Sequence, residues 1–170
     1  MHIVLHQPEI PSNTGNIGRT CAATGSRLHL IRPLGFSINE KALKRAGMDY
    51  WDELDVRVYI NFSDFLEKNP SIGNGESRLF MATTKARRTY CDVTYGKNDY
   101  IMFGRESGGI PEQLLVDNEE GCIRIPMLDG TRSLNLANST SIILYEALRQ
   151  QGFEGLTDKG SLHDLEWRTS

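Results

Sequence analysis

The chain has 170 residues, 39% hydrophobic and 24% charged, which is long enough for one buried core and too apolar for a disordered segment. A formal net charge of −3 excludes bulk attraction to nucleic acid, so any RNA contact must use a local basic cluster or one assembled from two subunits. No apolar run approaches a membrane span and the first residues read as a strand, not a signal peptide; a cytoplasmic address is expected. Cys21, Cys91 and Cys122 form no CxxC pair, which argues against a disulfide framework or a zinc site. Reduced, mostly buried thiols and no metal are expected.

In chain order, five apolar runs read as strands: Ile3 to Leu5, Leu28 to Ile31, Leu79 to Thr83, Tyr100 to Phe103, and Cys122 to Ile125. They are continuous rather than alternating, the pattern of a mainly parallel sheet covered on both faces. Between the first two, Asn13 or Thr14 is placed to cap a helix that runs to Thr24 and stops at Gly25. Ser37 and Glu40 form a capping box for a helix ending at Gly47, and Ser63 is placed to open a short helix through Phe65 and Leu66. Pro70 to Ser77 is rich in turn residues and reads as a surface loop. The longest helix is expected from about Asn135 to Gln150, with Gly152 just beyond it. Alternating strands and helices predict one α/β domain with its binding loops at the carboxyl ends of the strands.

Three of those loops carry chemistry. Asn13-Thr14-Gly15-Asn16-Ile17-Gly18-Arg19 follows the first strand and opens a helix, where unpaired N–H groups and small residues admit a polar ligand. It is not the GxGxxG of dinucleotide folds, which argues against a nucleotide-dependent oxidoreductase. Gly104-Arg105-Glu106-Ser107-Gly108-Gly109-Ile110-Pro111 follows the fourth strand; its glycines allow positive φ and close approach, and Glu106 is placed to meet a polar ligand. The third runs from Arg124-Ile125-Pro126-Met127 through Ser133-Leu134-Asn135 to Asn138 and Ser139. It concentrates poor helix formers in the first turns of an otherwise apolar helix, which points those turns at a ligand or a tight interface. Lys41, Lys44 and Arg45, and Lys85, Arg87 and Arg88, are the local basic clusters.

Together with Pro8-Glu9-Ile10-Pro11, Leu43-Lys44-Arg45-Ala46-Gly47 and Tyr145-Glu146-Ala147-Leu148-Arg149-Gln150, the three loops resemble the motifs of the SPOUT methyltransferases. Among these, the chain is most like the small enzymes that methylate the ribose 2′-oxygen of the wobble nucleotide, position 34, of tRNA. The resemblance covers residues 1–156 as a single domain and leaves 157–170 as a polar tail. It implies a Rossmann-like α/β fold with a C-terminal trefoil knot, S-adenosyl-L-methionine as methyl donor, a homodimer, and tRNA as substrate. Cytidine or modified uridine 34, with leucine tRNAs foremost, is the implied target. Another tRNA or rRNA site, or a non-catalytic RNA-binding protein on this fold, is the alternative.

By position, the resemblance makes Arg19, Asn13, Glu106 and Asn135 the catalytic set. Ala82, Thr83, Gly104, Ile125, Ser133, Leu134 and Asn138 are implied to hold the cofactor, and Lys44, Arg45, Lys85 and Arg88 the RNA. Relatives suggest Arg19 as base with help from an RNA phosphate; phosphate binding that fixes the ribose is physically easier for a guanidinium. The chain departs from the pattern at Arg105, where many relatives have Pro, and at Ala86, where Gly is common.

Overall fold

The computed structural model describes residues 1–37 and 54–168. Six strands form one sheet: β1 (His2–His6), β2 (Arg27–Ile31), β3 (Val56–Tyr59), β4 (Leu79–Ala82), β5 (Tyr100–Phe103) and β6 (Cys122–Ile123). Every pairing is parallel, in the spatial order β3-β2-β1-β5-β4-β6. Among the described residues the helices are α1 (Pro11–Thr24), α2 (Phe62–Lys68), the single turn α3 (Pro70–Gly73), α4 (Glu112–Asp117) and α5 (Leu136–Gln150), with a 3₁₀ turn at Glu119–Gly121.

The continuous apolar runs have a direct cause. Ile3 and Leu5 of β1 face one layer with Ile17 and Cys21 of α1 and Ile143, Leu144 and Ala147 of α5. Val4, between them, faces the other layer with Phe65 of α2 and Leu115 of α4. Both faces of the strand are therefore dry, so neither parity of residue is polar. The second layer also holds a continuous polar chain. His2 Nδ1 meets His29 Nε2 at 2.9 Å, His29 Nδ1 meets the Tyr59 hydroxyl at 2.7 Å, and Asn69 joins Tyr59 to the Tyr100 hydroxyl at 3.2 and 3.1 Å.

Several expectations are corrected. Helix α1 starts at Pro11, two residues before the expected cap, and Ile10 in the capping position makes no side-chain bond to it. Proline presets the first helical φ, so the helix needs no Asn13 cap and the Asn13 side chain is released for distant partners. Gly25 does end the helix, at φ 63°. Helix α2 starts at Phe62, capped by Asn61, whose side chain accepts from Asp64 N while Asp64 accepts from Ile60 N. Strand β3 was not among the expected ones: it is an edge strand with its two middle residues exposed, without the continuous apolar signal. Strand β6 stops at Ile123 because Arg124 turns to the loop at Arg88 to Tyr90, accepting from Tyr90 N and donating to Arg88 O, both at 2.9 Å.

Residues 70–73, expected as loop, make the turn α3. Pro111 is the residue before α4. Helix α5 begins at Leu136 with Asn135 as its cap, as expected within a residue. Cys21 and Cys122 are buried thiols, but Cys91 is exposed. The Ser37–Glu40 capping box, the basic segment at Lys41 to Arg45, and Gly47 lie outside the described residues except for Ser37. Among the described residues no helix is long and apolar enough to cross a membrane.

Candidate active site

Strands β5, β4 and β6 are neighbours in the sheet, and their carboxyl ends open into one cleft of about 570 Å³. Ala82 ends β4, Phe103 ends β5, and Ile125 lies two residues beyond β6; all three line the cleft. The loop after β5 forms one wall. Gly109 N donates to Arg105 O at 2.8 Å, and Gly109 holds φ at 69°, closing a turn back onto the strand end. A Cβ at Gly104 would sit 2.0 Å from Gly109 C and 2.2 Å from Ile110 N, so no other residue fits that turn. The loop Arg132 to Asn135 forms the facing wall, and Ile10 and Asn13 close the end under α1.

The three loops are tied by one chain of hydrogen bonds. Asn135 caps α5 with its side-chain oxygen, accepting from Ala137 N at 2.9 Å and Asn138 N at 3.3 Å. Its amide nitrogen donates to Asn13 Oδ1 at 3.0 Å, and Asn13 Nδ2 donates to Glu106 Oε1 at 3.0 Å. Glu106 also accepts from Glu9 N at 2.8 Å and Ile10 N at 3.3 Å. The Glu9 carboxylate returns the connection, accepting from the Ser107 hydroxyl at 2.7 Å and Ser107 N at 2.8 Å. Those two bonds hold the Glu9 carboxyl below its usual range. Each loop thereby fixes the other two. Nearby, burial pushes the His6 imidazole down, and the Arg105 charge adds to that effect.

The cleft thus gathers Asn13, Glu106 and Asn135 of the expected catalytic set, and Ala82, Thr83, Gly104, Ile125, Ser133 and Leu134 of the expected cofactor set. Lys85 also lines it. Arg19 does not: it is exposed on α1, on the outward stripe shared with Ser12 and Asn16. Asn138 is exposed on α5 and stands outside the lining; Arg88 stands at two neighbouring clefts instead. Lys44 and Arg45 lie outside the described residues. Sequence reading missed the pairing of Glu9 with Ser107, and Arg105 and Arg132 on the cleft walls. No local signal marked Glu9, whose partner Ser107 lies 98 residues away in the chain.

Comparison with known proteins bears on this arrangement. Residues 1–145 match the SpoU rRNA methylase family. A Listeria innocua protein provisionally named a tRNA (cytidine(34)-2′-O)-methyltransferase is 54% identical over 158 residues, 91% of this chain and 90% of that one. A solved structure described as concerning 2-OH methylation of C/U34 on tRNA is 44% identical, with a TM-score of 0.81 over 89% of this chain and 95% of that one. An AdoMet-bound rRNA methyltransferase from Sinorhizobium meliloti is 25% identical, with a TM-score of 0.74 over 87% of this chain and 55% of that one. The chain belongs to the SpoU methylase family, enzymes of the SPOUT class whose methyl donor is S-adenosylmethionine.

Proposed function

We propose that this chain methylates the ribose 2′-oxygen of nucleotide 34 in tRNA, leucine tRNAs foremost, using S-adenosylmethionine. The observation that carries this reading is the cleft in which the Asn135–Asn13–Glu106 chain meets the backbone of Gly104 and Ile125. It stands in a chain 54% identical to a relative named for that reaction. A cleft of about 570 Å³ is in the range that encloses a cofactor, and its walls suit this one. Gly104 exposes backbone at the end of β5, while Ala82, Ile125 and Leu134 offer apolar surface to an adenosyl group. We place the cofactor against these residues and Thr83 and Ser133, in a knotted C-terminal third, within a single domain spanning residues 1–156.

When bound, the sulfonium supplies an already activated methyl, so the protein's work is alignment and proton removal. Alignment alone is worth about 7–11 kcal/mol in favourable systems. The bonded chain of Asn13, Glu106 and Asn135 holds the three loops at fixed separations, which is the requirement for such alignment. Arg19, on the outer face of α1, serves best from a second subunit. Helices α1 and α5 lie together, with Thr20 Oγ1 3.4 Å from Ser141 Oγ, and α5 exposes Ile142 and Tyr145 on the same surface. That apolar surface supports a homodimer in which Arg19 reaches the partner's cleft and grips an RNA phosphate beside the ribose. A guanidinium, already protonated, has no lone pair to take the 2′-proton, so binding is its role here and the proton leaves to water or a phosphate oxygen. A cytoplasmic address follows from a tRNA substrate.

The test is methyl transfer from labelled S-adenosylmethionine to bulk tRNA lacking wobble methylation, with the product mapped by nuclease digestion. Label on ribose 34 is expected; label confined to any other nucleotide overturns the assignment, and no transfer overturns the activity. An Arg19→Ala chain should lose methyl transfer while keeping cofactor affinity in calorimetric titration. Near-normal turnover would remove Arg19 from the mechanism.

A further inference from the structure

A second cleft of about 490 Å³ shares Thr83 and Lys85 with the first. Its floor is apolar, from Ala86, Leu115 and Cys122, and its rim is ionic. Three cations from the loop after β4 each meet one acid from α4 or the 3₁₀ turn: Lys85 with Glu112 at 2.7 Å, Arg87 with Glu119 at 3.2 Å, and Arg88 with Glu120 at 3.1 Å. Arg88 also donates to the Glu120 carbonyl at 3.2 Å.

Both sides of this ladder are held by backbone. Arg88 O accepts from Arg124 N, and Arg124 O accepts from Tyr90 N, fixing the basic loop to the chain beyond β6. On the acidic side, Asn118 Nδ2 donates to Leu79 O at 2.9 Å. A Cβ at Gly121 would sit 2.5 Å from Leu79 O, so the turn carrying Glu119 and Glu120 presses on the start of β4. The acids are therefore presented to the cations rather than left to find them.

The result is a basic cluster neutralised one for one, in a chain whose net charge is already −3. Arg105 and Arg132 in the first cleft differ: neither forms an ion pair among the described residues. All three ladder pairs are largely exposed to solvent, and pairs of that kind are weak and exchange readily. A polyanion offering phosphates at this rim competes directly with the three carboxylates.

We infer that Glu112, Glu119 and Glu120 are a built-in counter-ligand for the basic rim, displaced by RNA phosphates when substrate docks against the second cleft. The inference rests on the proposal that RNA is the substrate. Its effect is selectivity. Any RNA must break the ladder to use Lys85, Arg87 and Arg88, so an RNA with no further contacts in the first cleft gains little by docking. The apolar floor beside the rim suits the face of a nucleobase next to the target nucleotide.

The experiment measures binding of tRNA and of polyuridylate to the full chain and to two variants. With Glu112→Gln, Glu119→Gln and Glu120→Gln combined, tRNA should bind at least about tenfold tighter at low salt, since each exposed pair is worth up to about fivefold. Polyuridylate should gain as much or more, narrowing the ratio between the two. With Arg87→Ala and Arg88→Ala combined, tRNA binding should weaken by about tenfold. Matching melting temperatures show that the variants are folded. Normal wobble methylation with unchanged affinities in both variants removes the inference and leaves the proposed function. Tighter RNA binding by the glutamine variant of a chain that methylates no tRNA supports the inference and removes the function. No RNA binding by the chain or the glutamine variant removes both.

Discussion

Two polar networks are built into opposite layers of this sheet, and they use similar side chains to different ends. Under α2, His2, His29, Tyr59, Asn69 and Tyr100 bond to one another within the apolar layer, and none of them lines the cleft. At the carboxyl ends of the strands, Asn13, Glu106 and Asn135 form an equally continuous chain, but all three line the cleft. The first network runs from His2 through His29, Tyr59 and Asn69 to Tyr100 and ties β1, β2, β3 and β5 to the end of α2. The second fixes three loops whose remaining surface faces the cleft. Bonding pattern alone does not separate a structural network from a catalytic scaffold; the cavity beside it does.

The comparison breaks most severely at Gly104. A Gly104→Ala substitution drives a methyl into the Gly109 backbone, so the turn that forms the cleft wall must open. Cofactor binding by calorimetry should fall below detection and methyl transfer should cease, while the His29 network keeps the far layer folded. A variant with wild-type cofactor affinity would show that the wall is unimportant. Glu106→Ala comes next. It leaves Glu9 N, Ile10 N and the Asn13 amide without their acceptor, at a cost of about 1–3 kcal/mol in stability. Methyl transfer should drop by about 100-fold, the scale expected when reacting groups are misplaced by about 1 Å. Unchanged turnover would make this network as purely structural as the other.

How much of this was legible from residues alone follows from what each feature depends on. The central strands were legible because both their faces are buried, and a continuous apolar run records that. Strand β3 was not, since an edge strand with Arg57 and Val58 exposed carries no such run. The polar residues of the cleft stood out by type and by resemblance, but their mutual bonds did not. Asn13 is 93 residues from Glu106 and 122 from Asn135, and only the fold reports that they meet. The basic residues Lys85 and Arg88 were visible as a cluster, whereas their acidic partners lie 27 and 32 residues downstream. Asn13 was also misjudged locally. It has the chemistry of a helix cap, but the helix starts earlier, at Pro11, with Ile10 in the capping position.

The other side of the comparison is sharpened at Asn69. Asn69→Ala removes the acceptor of the Tyr100 hydroxyl and the donor to Tyr59 and to Phe65 O, all in buried surroundings. Unfolding free energy from urea denaturation should fall by about 1–3 kcal/mol, with methyl transfer per folded molecule unchanged. A loss of turnover at constant folded fraction would connect the two layers and end the distinction drawn above.

The last effect is a pH dependence, and most of it belongs to the network under α2. Burial lowers the His29 imidazole to about 3 and the His2 imidazole to about 4, so both are neutral in the folded chain at any moderate pH. In the unfolded chain each titrates near 6.5. Above that value neither state binds the proton and stability is at its plateau. Below it the unfolded state takes up protons that the folded state refuses, so stability falls until pH reaches the folded values. For His29 the loss between pH 7 and pH 5 is about 2 kcal/mol, and His2 acts in the same direction. His6, lowered by burial, adds to the same slope, whereas the Met1 amino group, also lowered by burial, begins to act higher, below its ordinary value of about 8. The lowered carboxylates, such as Glu9 and Glu146, act only from the ordinary carboxylate range downward, so the interval from pH 7 to 5 reads chiefly the imidazoles. A His29→Gln chain, whatever its starting stability, should lose its share of that slope. Parallel stability profiles for the two chains would mean that His29 takes up its proton in the folded state, and that the network under α2 is open to water.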